Sequence, residues 1–556
     1  MKRNVSLCWR AVIRTLLTAW CMQLAWAQAQ TAESTSAEPV FDVYEYAIEG
    51  NTVLSDAVIE RAVMPYMGES RRFADIENAR AALEKAYQDA GYLSVLVSLP
   101  NQRVDHGEVK LVVVEAPVKK LTVSGAEHHL PSRIRESLPA LQEGRVPHFP
   151  SVQKQIADAQ TATLQITPLV NASDTGEAID IDLKVEDKAP YFGSFEVSNA
   201  QSYNTTRGRT NATVGINNLF QRGHTVGLSW QYSPRAPDQV NTVSLLYGLP
   251  LAGGDDLMMT LTESNSDTPT SVSSGGPTSI LTKGTFFGLR WNNKLQAAGW
   301  PVRHNVFFGF DYKRNSDSST FVNGDIVQRP PTRYPLFTAG YSLTHTGEGD
   351  VVSTLSASIR GISSSLADRK VDCDGVRLEQ FDCKRAGASS NFGVVQVAVG
   401  HARPVLGNWR FNLTADVQLA TGAVPSGEQY SLGGANTVRG YYDFEQSGDA
   451  GWRTRVELVS PAWLNLGSLR ATALGFVDRG FVYLFDPQPT QQGRTHLGSY
   501  GLGLRFFALD GLRVNVDYAR VVFDTIRPTG SGAVEFASGS KAGRDHRIDV
   551  SVQYAF

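Results

Sequence analysis

From about residue 190 to the C-terminus the hydrophobic pattern repeats every second residue, and no other feature constrains the fold as strongly. Val226, Leu228, Trp230 and Tyr232 alternate with Thr225, Gly227, Ser229 and Gln231. Trp409, Phe411, Leu413, Ala415, Val417 and Leu419 form a second run. Leu512, Val514, Val516 and Tyr518 form a third, interleaved with Arg513, Asn515 and Asp517. Ile548, Val550, Val552, Tyr554 and Phe556 close the chain. Successive strand side chains point to opposite faces, so each run has one apolar and one polar face. The runs are about 9–12 residues long, the length a tilted strand needs to cross a bilayer. A soluble β-sandwich or propeller also alternates, but two features favour a membrane. The apolar faces end in Trp, Tyr and Phe, as an interfacial girdle does. The opposite faces carry Arg, Asp, Asn and Gln, which suit a wet lumen rather than a dry core. Unpaired backbone groups are too costly in lipid, so such strands must close into a barrel.

The expected fold class is therefore a transmembrane β-barrel of about 16 antiparallel strands, an even number. The segments lie near residues 191, 208, 223, 239, 256, 282, 302, 334, 350, 391, 408, 452, 468, 497, 511 and 545. Short connections such as Gln221-Arg222-Gly223 read as periplasmic turns. Long polar ones at 266–281, 314–333 and 362–390 read as outer loops.

Composition narrows the rest. A prior of one domain per ~150 residues gives three or four domains for 556 residues, and it fails if one barrel takes up most of the chain. Beyond the N-terminus no run of ~18 apolar residues offers a spanning helix. A formal net charge of -3 lacks the basic surplus of a nucleic-acid binder. Residues 1–29 read as a signal peptide: Lys2, Arg3, Arg10 and Arg14 precede an apolar stretch at 15–27, and Ala25-Trp26-Ala27 or Ala27-Gln28-Ala29 offers small residues for cleavage. A polar linker follows at 30–40. Cys8 and Cys21 leave with the signal, so Cys373 and Cys383 remain, in a polar stretch. In an oxidising compartment they read as a local disulfide. No His or further Cys completes a metal set around them, and neither a metal nor a cofactor is expected.

Two α/β units of ~75 residues each precede the barrel, 41–116 and 117–189, each large enough for one modest core. In the first, Val43, Tyr46 and Ile48 lead to the turn dipeptide Gly50-Asn51. Ile76, Ala79, Leu83, Ala86, Tyr87 and Ala90 recur at helical spacing, with Gly91 as a stop. Leu93, Val95 and Val97 alternate, as do Val109, Leu111 and Val113. The second unit repeats the order: Val118, Leu121 and Val123 run to Gly125, helices are expected around 131–141 and 150–165, and Ile179, Ile181, Leu183 and Val185 alternate.

These residues carry a resemblance. GNTVLS (50–55), Tyr87 with Gly91-Tyr92, and PNQRVDHGEVKLVVVE (100–115) resemble a polypeptide-transport-associated (POTRA) domain, specifically the first one of two-partner secretion transporters. The resemblance implies that Pro100, Gln102 and Gly107 belong to a cargo-binding region, and that sheet edges in these units dock extended polypeptide by adding a strand. It reaches the barrel too. The connection 421–451, between the eleventh and twelfth segments, contains SLGGANTVRGYY, and Val438, Arg439, Gly440 and Tyr441 match the motif of a loop that folds into the lumen. Phe476, Asp478 and Gly480, on the thirteenth segment, match its F-x-D-x-G partner on the inner wall. Arg439 is expected to pair with Asp478. The terminal Phe556 resembles the C-terminal signal by which barrel-assembly machinery recognises its substrates.

The resemblance implies a transporter of the filamentous-haemagglutinin and haemolysin export type, in the outer membrane of a Gram-negative bacterium with its POTRA domains in the periplasm. Its partners would be one large, unfolded, β-rich exoprotein, outer-membrane lipid and, during biogenesis, the barrel-assembly machinery, with no nucleic acid. No G-x-x-x-x-G-K-[ST] is present, so export would proceed without ATP. Members of the family often plug the pore with an N-terminal helix. The dozen polar residues before Phe41 are too few for that helix and a linker, so the plug is expected to be missing. An assembly insertase is the alternative, and a passive porin or receptor a weaker one. An enzyme finds no support in any G-x-S-x-G, H-E-x-x-H or placed carboxylate pair.

Overall fold

A computed structural model describes residues 40–556 apart from 105, 162, 174–176, 204, 267–269, 273–278, 282, 296–301, 317, 323–324, 488–490 and 529–533. The expected signal peptide, the linker up to residue 39 and the expected lack of a plug lie outside the described residues.

The first α/β module is built on a three-stranded sheet ordered β2–β5–β4, where β2 is Glu45–Glu49, β4 is Val95–Ser98 and β5 is Glu108–Glu115. β2 runs parallel to β5, and β4 antiparallel to it. Helices Asp56–Val63 and Phe73–Asp89 bury Ile59, Val63, Ile76, Ala79, Leu83 and Tyr87 against Val95, Val97, Val109, Leu111 and Val113. The helical and two-residue periods of the sequence thus meet in one core. β1 (Val40–Val43) and β3 (Gly68–Arg72) form a separate two-stranded sheet that was not anticipated, because GESRR has no apolar alternation to reveal it.

The second module repeats the plan with order β6–β8–β7, where β6 is Val118–Ser124, β7 is Leu164–Ala172 and β8 is Ile179–Asp187. Gly50 (φ +90°) and Gly125 (φ +82°) hold equivalent positions, and a Cβ on either would strike a carbonyl, Val113 O or Val185 O. The expected helix over 150–165 is corrected: it covers Phe149–Ala159, and β7 follows from Leu164. Ile156, Gln160 and Leu164 continue the helical spacing, but Thr161, Thr163, Ile166 and Thr167 are β-branched and disfavour helix. The Thr161 hydroxyl accepts the Leu164 N–H at 3.1 Å, and Leu164 and Ile166 alternate with exposed neighbours.

Residues from Tyr191 onward form a closed antiparallel barrel of sixteen strands. In order they are Tyr191–Ser198, Arg209–Leu219, His224–Tyr232, Asn241–Pro250, Asp256–Ser264, Gly284–Leu295, Val302–Asn315, Thr332–Gly347, Val351–Ile362, Phe392–Pro404, Arg410–Ala420, Ala450–Val459, Leu469–Tyr483, Arg494–Ala508, Leu512–Val521 and His546–Ala555. A short segment, Leu464–Leu466, continues the pairing of the twelfth strand on the thirteenth. Each strand begins within a few residues of the position its alternation marks. Phe195, Leu228, Trp230, Phe308, Phe337, Tyr518 and Tyr554 are exposed on the outer surface, while Asn211, Gln231, Asp416, Gln418 and Asp517 line the lumen. The first and last strands pair over five positions, Ser551↔Ser198 to Ala555↔Ser194, and Phe556 extends this seam by exchanging backbone hydrogen bonds with Gly193 at 3.0 and 3.1 Å. An even strand count puts the barrel's N- and C-termini at one end, which carries the short turns and faces the periplasm. The long connections lie at the extracellular end.

Candidate functional site in the barrel lumen

The connection between the eleventh and twelfth strands turns inward. Tyr430–Leu432 pairs with Gln446–Gly448 as a small hairpin that carries residues 433–445 at its tip. Gly433 (φ +114°) and Gly440 (φ +90°) sit where a side chain would be strained. A Cβ on Gly433 would strike Tyr442 O, and one on Gly440 would lie 3.0 Å from Val521 Cγ2. These turns lay the tip against the inner wall.

Arg439 is fully buried there, and Asp478, on the thirteenth strand, is 1% exposed. Their contact is bidentate, Arg439 Nε donating to Asp478 Oδ2 and Nη2 to Oδ1, both at 2.7 Å. The Arg439 backbone N–H adds a third bond to Oδ2 at 3.1 Å. Arg439 Nη1 donates to Glu457 on the twelfth strand at 2.8 Å, and Asp517 on the fifteenth stands 3.9 Å away. The guanidinium lies 3.4 Å above the Phe476 ring, a cation–π contact. Phe476, Asp478 and Gly480 share one face because they are two residues apart on a strand. Phe476 stacks, Asp478 chelates, and Gly480 leaves room: a Cβ there would come within 2.5 Å of Leu432 and 3.3 Å of Val438. Val438 packs with Leu432, Tyr441, Val482, Leu497 and Val521. The Tyr441 hydroxyl donates toward the carbonyls of Gly498 (3.1 Å) and Phe523 (2.9 Å) and accepts the Gly498 N–H at 3.1 Å. An arginine taken out of water and left without its carboxylate costs about 3–5 kcal/mol, so this set of contacts fixes where the loop sits.

Two further anchors were missed by sequence reasoning. Glu428, earlier in the same connection and 2% exposed, receives Lys313 at 2.6 Å, Tyr334 at 2.9 Å and Arg360 at 3.2 Å from the seventh, eighth and ninth strands. Asp449, at the end of the connection and fully buried, holds Arg385 at 2.6 Å and accepts the backbone N–H of Val424 and Phe485. Arg385 also donates to the carbonyls of Val424 and Phe485. It belongs to the connection 363–391, which packs Phe381 against Tyr334, Phe392 and Val424. Cys373 and Cys383 are joined by a disulfide in that connection, with Cα atoms 5.7 Å apart. A Glu and an Asp in a polar stretch bear no spacing signal. An expectation that loop 421–451 folds inward could have directed attention to its acids. A cavity of about 860 Å³ remains in the lumen, lined by charged and amide side chains including Arg290, Asp311, Arg360 and Asp416.

Gln102 pairs with the backbone of Lys110 in both directions at 2.7 Å, and its Nε2 also lies 3.4 Å from Pro100 O. It therefore occupies the side of β5 that β4, ending at Ser98, leaves uncovered. Gly107 (φ +78°) accepts from the backbone N–H of Tyr44 at 2.7 Å, and a Cβ there would strike the Tyr44 ring. In GNTVLS, Asn51 brackets Leu54 and receives the Tyr87 hydroxyl at 2.7 Å. Each of these motif residues thus shapes the module itself. Among the described residues no group of three His, Cys, Asp or Glu is placed to hold a metal ion.

The model of the haemolysin secretion/activation protein family ShlB/FhaC/HecB matches residues 177–506, and that of the ShlB-type POTRA domain matches 41–116. The outer membrane transporter CdiB of Escherichia coli is 24% identical over 493 residues, covering 84% of this chain and 76% of the relative. The heme/hemopexin transporter protein HuxB of Haemophilus influenzae is 21% identical over 480 residues, with 83% and 80% covered. The solved structure of CdiB from Escherichia coli aligns over the whole of both chains with a TM-score of 0.61 at 18% identity.

Proposed function

The chain belongs to the haemolysin secretion/activation family of outer-membrane two-partner secretion transporters, and from that premise we propose that it moves one large exoprotein, extended and rich in β-structure, from the periplasm to the cell surface without ATP. The observation that carries this reading is the inward loop, pinned by Arg439 to Asp478, Glu457 and Phe476 inside a polar lumen. A polar lumen passes an unfolded chain without offering an apolar wall to hold it. In this reading the loop is the element that cargo displaces or passes, and its buried ion pair returns it to one position. The open edges of the two periplasmic sheets supply main-chain hydrogen bonds to the cargo, so docking makes little demand on cargo sequence. Folding of the cargo outside biases the movement outward. No group in the lumen acts on a covalent bond in this scheme, so the protein is a conduit and not an enzyme. During its own biogenesis the seam formed by Phe556 would be closed by the barrel-assembly machinery.

Deleting the gene and comparing proteins in the medium tests this reading. One large protein is expected to disappear, while other outer-membrane barrels stay at their normal amounts. A general loss of barrels with an unchanged medium would favour an assembly insertase instead.

A further inference from the structure

The lipid-facing rim of the barrel carries a cation cluster that export does not use. The outward positions of the seventh strand include Phe308, Phe310, Tyr312 and Arg314, and those of the eighth include Arg333, Pro335 and Phe337. Arg314 stands directly opposite Arg333 in the register, and both are exposed. They lie two register pairs beyond Tyr312 and Pro335, and four beyond Phe310 and Phe337, whose rings are 5.5 Å apart. Arg314 is the next-to-last residue of the seventh strand and Arg333 the second of the eighth, so both lie at the extracellular end. Lys283, just before the sixth strand, is exposed at the same end, its carbonyl bonded to Ser316 N at 2.9 Å.

Like charges directly opposite on neighbouring strands destabilise a sheet. Among the described residues neither guanidinium has a hydrogen bond or ion pair to relieve this. Arg520, at the extracellular end of the fifteenth strand, differs: Asp545 is 3.7 Å away. Among the described residues in the row of Arg314 the nearest acid is Glu263, two strands off, and it already receives the Thr285 hydroxyl at 2.6 Å. Among the described residues, therefore, no acid pairs with either arginine. Two residues span about 6.6 Å of strand, which places the arginine pair just above the aromatic band, at headgroup height.

We propose that Arg314 and Arg333, assisted by Lys283, bind a phosphate of lipopolysaccharide in the outer leaflet. Guanidinium groups match phosphate bidentately, and two of them around one dianion turn a repulsive pair into a clamp. The acyl chains of the same lipid then lie along Tyr312, Phe310 and Phe337.

The test uses the purified full-length protein in lipopolysaccharide-free detergent, following the temperature at which the heat-resistant folded band is lost on electrophoresis. Added lipid A is expected to raise that temperature. The double variant Arg314→Gln/Arg333→Gln is expected to need about tenfold more lipid A or higher for half the effect, as losing one charge-assisted contact implies. Arg520→Gln is expected to respond like the parent. Without lipid, the double variant is expected to be at least as heat-resistant as the parent, because the like-charge pair is gone. An undiminished response in the double variant overturns the proposal, as does an equal response to dephosphorylated lipid A. So does an equal shift from inorganic phosphate, which would mark a free-anion site, or a double variant less heat-resistant without lipid.

Discussion

Arg439 makes three hydrogen bonds to Asp478, one to Glu457 and a cation–π contact with Phe476, and different variants separate them. Arg439→Ala strands Asp478 in a buried niche and is expected to cost about 3–5 kcal/mol of loop anchoring. Protease accessibility of residues 433–445 in the folded barrel would read that cost. Arg439→Lys keeps the charge but loses the bidentate fork and much of the stacking on Phe476, so it should recover a minor part of the anchoring. Reversing the pair, Arg439→Asp with Asp478→Arg, is expected to fail. The new Asp would face Glu457 and Asp517, which lie 2.8 and 3.9 Å from the present guanidinium. The pairing partner was legible through the family resemblance, which implies that the V-R-G-Y loop meets an F-x-D-x-G strand. Glu457 was not, since an inward Glu on a barrel strand looks like any other lumen residue. Gln102 was read as a cargo contact from its motif. Its two bonds to Lys110 give Gln102→Ala a second expected effect: about 1 kcal/mol off the stability of the first module, measured by urea unfolding. A residue that acts through cargo alone would leave that stability unchanged.

Elements differ in how much of themselves they write into a sequence. The sixteen strands were readable because each must keep one face for lipid, and a slip of one residue would invert it. The helix end at Ala159 and the strand Gly68–Arg72 were not, because one depends on β-branched residues overriding a spacing and the other has no apolar face. The connection 363–391 gave up its disulfide but not its inward packing, which rests on Phe381 and on an Arg385–Asp449 pair 64 residues apart. Replacing Cys373 and Cys383 by Ser is expected to lower the local stability of this connection by about 2–3 kcal/mol, from the entropy of its short loop. Faster hydrogen exchange at 364–384, with the barrel strands unchanged, would report it. In the second module, the Asp187 carboxylate accepts the backbone N–H of Glu127, His128 and His129 at 2.6–2.9 Å and faces His129 Nδ1 at 2.7 Å. Burial pushes its pKa up, but these bonds outweigh burial and hold it below the ordinary carboxylate value. A depressed value means the anchoring is complete above the unfolded pKa of about 3.9 and is lost as pH falls through the folded one. Protection of amides 127–129 should therefore hold from neutral pH to about pH 4 and fall below it. Asp187→Asn should reduce it throughout that range.

At the scale of the molecule, one barrel accounts for the failure of a domain count based on length. The lack of an apolar run of ~18 residues beyond the N-terminus excluded helical spans and left strands open, because half of each strand faces water. The glycines and aromatics divide the same way, between inward turns such as Gly433 and Gly440 and outward rings such as Trp230 and Phe337. The central claim is that this barrel exports a specific protein past a loop held by Arg439. The most direct measurement quantifies the exported protein in the medium of a deletion strain complemented with the parent gene or with Arg439→Ala, at matched amounts of folded barrel. The account predicts full export with the parent, none with the empty vector, and a large deficit with Arg439→Ala. Equal export from the parent and Arg439→Ala, or a medium unchanged by the deletion, would contradict it.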